Sequence, residues 1–253
     1  MDRAAVVDAL ARAGCVAAEE EAAKLMAAAD GPGTLARMVD RRRTGEPLAW
    51  ITGRTVFCGL DIAVDPGVYV PRWQSEPLAR RAAQLLPPTG VGVDLATGSG
   101  AVAAVMAAAR PEARVLATEL DPVAVRCARR NGVDVRHGHL DHPLPPDLAG
   151  RVDVLCGVLP YVPTGALGLL PRDVLAFEPR VALDGGADGL LAVAAVVASS
   201  ERWVRPGGWL LLEVGGDQVP TVTELFEVSG HQPVEVLFDG DGDPRAVVGQ
   251  RSE

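Results

Sequence analysis

The chain has 253 residues, 48% hydrophobic and 23% charged, a globular composition long enough for one large domain and a small appendage. Its 24 basic and 33 acidic side chains leave a net charge of −9, which argues against general binding to nucleic acid or to an anionic membrane surface. The cysteines Cys15, Cys58, Cys127 and Cys156 form no C-x-x-C pair, so neither a zinc ribbon nor a redox motif is expected.

In chain order, residues 1–45 are Ala-rich. "AAVVDALARAG" and "EEEAAKLMAAAD" carry apolar residues at three- and four-residue spacing, which predicts a small helical N-terminal domain. Its opening Met-Asp-Arg lacks the apolar stretch of a signal peptide. The longest apolar runs, Leu190 to Ala198 among them, are far short of the ~20 residues that span a bilayer. A cytoplasmic protein is therefore expected. Residues 46–75 alternate apolar and polar side chains between Gly and Pro turns, as in "WITGRTVFCGLDIAVDPGVYVPR", and predict a β-hairpin linker. From residue 76 to 253 helical and strand patterns alternate: "EPLARRAAQLL", "VGVDLATG", "AVAAVMAAARP", "ARVLATELD", "PVAVRCARRNG", "VDVLCGVLPY", "LLAVAAVVASSERWV", "GGWLLLEVG" and "VPTVTELFEVSG". "PVEVLFD" and "RAVVGQR" close the chain as an antiparallel edge pair. The expected fold class is α/β: a Rossmann-like, doubly wound, mostly parallel seven-stranded sheet with helices on both faces.

The strongest chemical signal is "VDLATGSGA", Val93 to Ala101. A strand ends at Asp94, a turn of small residues follows, and a helix begins near Ala101. Such a turn lets a ligand approach the backbone and offers it unpaired helix N–H groups. Glu119, at the end of the next strand pattern, stands 21 residues past Gly98, the spacing of an acid that binds ribose hydroxyls. Dinucleotides and S-adenosylmethionine both fit this arrangement. The G-x-G-x-x-G order is not met; the register is D-x-A-x-G-x-G, with the acid first, as in class I S-adenosylmethionine-dependent methyltransferases.

Six stretches then occur in one order: "GEPLAWITG", "FCGLDIAVDPGVYVPR", "VDLATGSGAVA", "LPYVP", "EPRVALDGGADGL" and "PGGWLLLEVG". Together they resemble the HemK/PrmC family of protein-glutamine methyltransferases that modify peptide-release factors, in an actinobacterial branch. The likeness runs from about Gly45 to Gly249. It implies that Asp94, Ala96, Thr97, Gly98, Ser99 and Gly100 form the turn holding S-adenosylmethionine (S-adenosylhomocysteine as product). It also implies that Glu119 takes the ribose hydroxyls, that Leu120 packs on adenine, and that His139 and Leu140 flank it. Phe57, Pro71, Arg72 and Glu76 fall where this family closes its site. Pro160 and Tyr161 match the end of its Asn-Pro-Pro-Tyr motif, and Glu178, Arg180, Asp184 and Asp188 resemble a segment near it.

The departures from the family shape the functional expectation. Its Asn is Val158 here and its first Pro is Leu159; the residues after "VPR" are Trp73, Gln74 and Ser75. In the family the Asn oxygen and a backbone carbonyl accept the N–H groups of the glutamine amide. Val158 accepts nothing, and a misplacement of ~1 Å at a reacting centre can cost about 100-fold. The expected substrate is therefore a small, flat, partly apolar molecule of specialised metabolism, held by Val158, Leu159, Pro160, Tyr161, Phe57, Arg72 and Trp73. It would be alkylated on oxygen or carbon, or closed into a ring such as a cyclopropane in an antibiotic pathway, with a radical S-adenosylmethionine enzyme as partner. Modification of a release-factor glutamine and a non-catalytic cofactor-binding role are the alternatives. His139, His142 and Tyr161 are the candidate catalytic groups, an imidazole being able to take a proton near neutrality. No resident metal is expected, since a cofactor loop explains His137, His139 and His142 more simply.

Overall fold

In the computed structural model, which describes Met1–Glu253 apart from the side chains of residues 172 and 173, three helices come first: α1 (Arg3–Arg12), α2 (Ala18–Ala28) and α3 (Pro32–Arg43). Asp2 caps α1, accepting the Ala5 N–H at 2.9 Å, and Pro32 opens α3, where its missing N–H costs nothing. Val6, Leu10, Ala22, Leu25, Leu35 and Val39 recur at helical spacing and close into a core of their own, joined by Ile51. Ile51 belongs to the short α4 (Leu48–Thr52). That helix also sends Trp50 into the main core, where its indole N–H donates to the Val68 carbonyl at 2.9 Å. One turn of helix thus ties the two cores together.

The hairpin follows as β1 (Arg54–Phe57) and β2 (Leu60–Ala63), paired antiparallel through the Cys58–Gly59 turn. Asn131 holds it to the large domain by a reciprocal pair of bonds to the Ala63 backbone, both 2.9 Å.

The large domain runs α5 (Glu76–Leu85), β3 (Val91–Leu95), α6 (Ala101–Ala109), β4 (Arg114–Glu119), α7 (Pro122–Arg130), β5 (Asp134–His137), β6 (Val152–Gly157), α8 (Arg172–Phe177), α9 (Leu191–Trp203), β7 (Val204–Glu213), α10 (Val219–Val228), β8 (His231–Phe238) and β9 (Pro244–Arg251). The strands form one seven-stranded sheet in the order β5-β4-β3-β6-β7-β9-β8. The first five are parallel, β9 runs antiparallel to β7, and β8 at the edge pairs antiparallel with β9. This is the doubly wound architecture the alternating pattern predicts, with the antiparallel pair at one edge. Strands β3, β6 and β7 are buried apolar runs because both faces are covered, as parallel sheets require. Chain order reverses between β3 and β6, and the carboxyl ends of the strands on either side of such a switch point form the natural ligand crevice.

Candidate active site

A cavity of about 810 Å³ opens at that switch point, reaching from the loop after β3 to the loops after β6 and β7. Its first half is the turn after β3. Ala96, Gly98 and Gly100 all take left-handed conformations (φ of 52°, 58° and 85°), curling the backbone so tightly that the Thr97 and Gly100 N–H groups donate to the Thr118 and Thr97 carbonyls at 3.0 and 2.9 Å. Gly100 stands behind the turn, where a Cβ would come within 2.8 Å of Val133. Asp94 is 1% exposed and pins the turn: one of its oxygens accepts the Thr97 hydroxyl at 2.5 Å and the Ala103 N–H at 3.1 Å. Burial pushes the Asp94 carboxyl up to about 7, those two bonds pulling it down and the nearby Glu119 charge adding to the rise.

Glu119 ends β4 facing the turn. Its two oxygens accept the N–H groups of Gly98 and Asp121, each at 2.8 Å. A carboxylate has about four lone-pair sites, so capacity remains for a pair of hydroxyls. Leu120 is 45% exposed and lines the cavity with Leu140 and His139. Asp141, in the same loop, faces away and accepts the Trp203 indole N–H at 2.7 Å. The His137 ring nitrogen sits 2.8 Å from the Leu120 carbonyl. The His139 and His142 rings meet edge to face at 5.7 Å, but His142 is exposed and outside the cavity lining. Of the two imidazoles expected as bases, the structure therefore brings only His139 to the cavity, on the side of Leu120.

The second half is built on the chain after β6. Val158, Leu159, Pro160 and Tyr161 all line the cavity, as do Phe57, Pro71 and Arg72. Trp73 lies on a short 3-10 turn, 50% exposed and outside the lining. Arg72 stacks on the Tyr69 ring at 5.3 Å and forms a close ion pair with Glu178, whose side chain is 1% exposed. This pair clasps the segment after the hairpin to the long loop between β6 and α9.

The glycines of "DGGADGL" have a packing reason. A Cβ on Gly185 would come within 2.6 Å of the Pro160 carbonyl, and one on Gly189 would run into the Tyr161 carbonyl. The two loops also exchange backbone bonds, Val162 N–H to Leu183 O at 3.0 Å and Gly185 N–H to Val162 O at 2.9 Å. Gln218 closes the seam by donating to the carbonyls of Tyr161 and Asp188 at 2.9 and 3.0 Å. Asp184 and Asp188 are absorbed here as loop supports: Asp184 accepts from Thr164, Arg180 and Gly186, and Asp188 from Leu190.

Sequence reasoning missed Glu213, Ser75, Tyr69 and Arg245, which line the floor of this second half. Glu213 ends β7 at 2% exposure. Burial pushes its carboxyl above the ordinary range, against the opposing pull of Ser75, Tyr161 and Arg245. Burial raises the Tyr161 phenol strongly as well, and the Glu213 charge adds to it. The available signal was an acid closing the apolar run "WLLLEVG": a charge at the carboxyl end of a buried strand in such a sheet faces the ligand crevice.

The curled turn, the Glu119 carboxylate with spare lone pairs and the apolar walls of Leu120 and Leu140 suit the ribose, adenine and methionine parts of S-adenosylmethionine. Fold and site define a class I S-adenosylmethionine-dependent methyltransferase. Among solved structures, the fold is shared with a methyltransferase from Pyrococcus furiosus (TM-score 0.53, 21% identity, 78% of this chain and 91% of that one). It is shared also with a ribosomal protein L11 methylase from Lactobacillus delbrueckii (TM-score 0.52, 14% identity, 76% and 86%). No family model matches the chain. Curated relatives are more specific. Release factor glutamine methyltransferases of Geobacter sulfurreducens and Mycolicibacterium smegmatis are 36% and 38% identical over 219 and 221 residues, 84% and 85% of this chain and 76% and 78% of theirs. That of Moorella thermoacetica is 39% identical over 223 residues, 85% of this chain and 78% of its own. The chain belongs to the release factor glutamine methyltransferase family.

This corrects the expected substrate and partner. A small molecule of specialised metabolism, its ring closure and a radical S-adenosylmethionine partner enzyme were inferred from one apolar side chain, Val158. The relatives, identical at more than a third of positions across most of the chain, are all named for a protein glutamine. The physical error was to treat Val158 as the whole acceptor wall. The cavity floor carries a carboxyl and three hydroxyls, from Glu213, Ser75, Tyr69 and Tyr161, that the single-residue argument left out.

Proposed function

We propose that the protein transfers a methyl group from S-adenosylmethionine to the side-chain amide of a glutamine in a peptide-release factor, working in the cytoplasm. The observation that supports this best is one continuous cavity joining the Ala96–Ser99 turn to the Leu159–Tyr161 loop, in a chain that matches the glutamine methyltransferases over 84–85% of its length.

When bound, the cofactor supplies a methyl group on a positively charged sulfur, an electrophile that needs alignment more than activation. Glu119 and the Ala96–Ser99 turn fix the ribose and methionine ends. Leu159 and Pro160 form an apolar wall that excludes water, and the Tyr161 ring flanks the incoming side chain. The Arg72–Glu178 clasp holds the covering loop in place, so that a glutamine entering between the loops is confined in a dry slot where alignment is most effective.

Incubation of the protein with methyl-labelled S-adenosylmethionine and a purified bacterial release factor tests the proposal. Label is expected in the release factor, and none in a variant whose modified glutamine is replaced by alanine. Equal label in both acceptors, or none in either, would defeat it.

A further inference from the structure

Val158 leaves an amide acceptor without one of its grips, and the sheet register shows what stands beside it. On the parallel strands β6 and β7, Gly157 pairs with Leu212. The next residues along, Val158 and Glu213, therefore occupy the same level on neighbouring strand ends, which in a sheet lie about 4.8 Å apart. They also share a face. Cys156 and Leu211 both pack into the core on one side of the sheet, while Leu155, Leu210 and Leu212 pack on the other. Side chains alternate along strands, so Val158 and Glu213 both point to the Cys156 side. Val158 does pack on that core.

Glu213 is 2% exposed and lines the cavity; the Ser75 and Tyr161 hydroxyls face its carboxyl, but its Oε2 accepts no hydrogen bond of ordinary geometry among the described residues. A buried carboxylate oxygen without a donor is costly and rare. Arg245, the nearest cation, is already engaged by Asp239 at 2.5 Å and Asp243 at 3.1 Å.

We propose that Glu213 grips the acceptor in this protein: its free Oε2 accepts one N–H of the glutamine amide beside Val158, and the same carboxylate takes the proton that the nitrogen sheds. The inference rests on the methyl transfer to glutamine proposed above. In the balanced step a nitrogen–carbon bond forms as the carbon–sulfur bond of the donor breaks. The thioether leaves neutral with the bonding pair, and the proton lost by nitrogen passes to Glu213 and from there to solvent. A carboxylate accepts a stronger hydrogen bond than a carboxamide, which compensates for the missing side chain at position 158. The groups facing Glu213 are Ser75 from the turn before α5, Tyr161 and Tyr69 from the cavity loops, and Arg245 from β9. Their balance with burial leaves the carboxyl above its ordinary range, so the gripping form is lost as pH falls through that raised value.

The test compares the unmodified protein with Glu213→Gln, an isosteric change, and with Glu213→Gln combined with Val158→Asn, after thermal melts confirm folding. Glu213→Gln is expected to lower kcat on a release factor by about 100-fold, the low end for loss of a proton acceptor. It should also abolish the rise of kcat with pH. Adding Val158→Asn should restore at least about tenfold, as a second amide acceptor contributes roughly one hydrogen bond. A readout without cofactor is the carbon-13 resonance that titrates in the unmodified protein and is missing in Glu213→Gln. It should shift when a glutamine-bearing release-factor peptide is added, and stay fixed with a peptide carrying norleucine instead. Undiminished kcat with an unchanged pH profile in Glu213→Gln, or a resonance indifferent to the glutamine peptide, would overturn the inference and leave the functional reading standing. Failure of the unmodified protein to methylate any release factor would instead overturn that reading itself.

Discussion

At the scale of single residues, the buried carboxyls Asp94 and Glu213 stand in opposite halves of the cavity. Asp94 holds the turn after β3 closed through Thr97 and Ala103. Its carboxyl is raised from 3.8 to about 7 in the folded chain, so the native state holds its proton more tightly than the unfolded chain does. Asp94 favours folding fully below its ordinary value, and that contribution is lost as pH rises toward 7. Thermal melts of the cofactor-free protein are therefore expected to fall between about pH 4 and pH 7 by more in the unmodified protein than in Asp94→Asn, which cannot titrate. Parallel curves for the two would contradict the assignment of that slope to Asp94. Val158 shows the limit of argument from one side chain. Its lack of polarity is real, but chemistry at a cavity wall belongs to all the groups that share the wall.

Among the elements, the two loops of the connection between β6 and α9 depend on glycines for contact rather than for flexibility. Gly189 sits at φ 78°, and any Cβ there would collide with the Tyr161 carbonyl. Gly189→Ala is expected to displace the Leu159–Tyr161 loop and to destabilise the chain by about 1–3 kcal/mol, the usual cost of overpacking and a left-handed side chain. Methyl transfer should fall at least tenfold while cofactor affinity, measured by calorimetry, holds within about threefold, since the turn after β3 is untouched. Loss of both together would show that the two halves of the cavity are not separable.

The elements legible in the sequence were those with long buried runs or a hard turn. β3, β4, β6 and β7 read as apolar strands because both their faces are covered, and "DLATGSG" read as a strand end running into a tight turn because its shape demands small residues. β5 was not legible. Asp134-Val135-Arg136-His137 is a four-residue edge strand with only Val135 buried, and it has no pattern to detect. Glu213 was missed for a related reason. The strand ending "LLLEVG" was visible, but the register placing its acid beside Val158 exists only once the sheet is assembled.

For the whole molecule, the hairpin packs into the core of the sheet domain, and α4 links the helical unit to that core. Trp50→Ala removes a buried indole and leaves the Val68 carbonyl without its donor, so a loss of about 3–5 kcal/mol is expected by denaturant titration. A loss within about 1 kcal/mol would mean that α4 does not couple the two cores. Among the described residues no helix is long and apolar enough to cross a membrane. The central claim is that this assembled cavity methylates a release-factor glutamine even with Val158 in place of the family's Asn. Tandem mass spectrometry of a release factor after incubation with the protein and S-adenosylmethionine tests it most directly. The account predicts one added methyl group, on the side-chain nitrogen of a single glutamine. A release factor recovered without that methyl group, from protein shown by calorimetry to bind the cofactor, would contradict it.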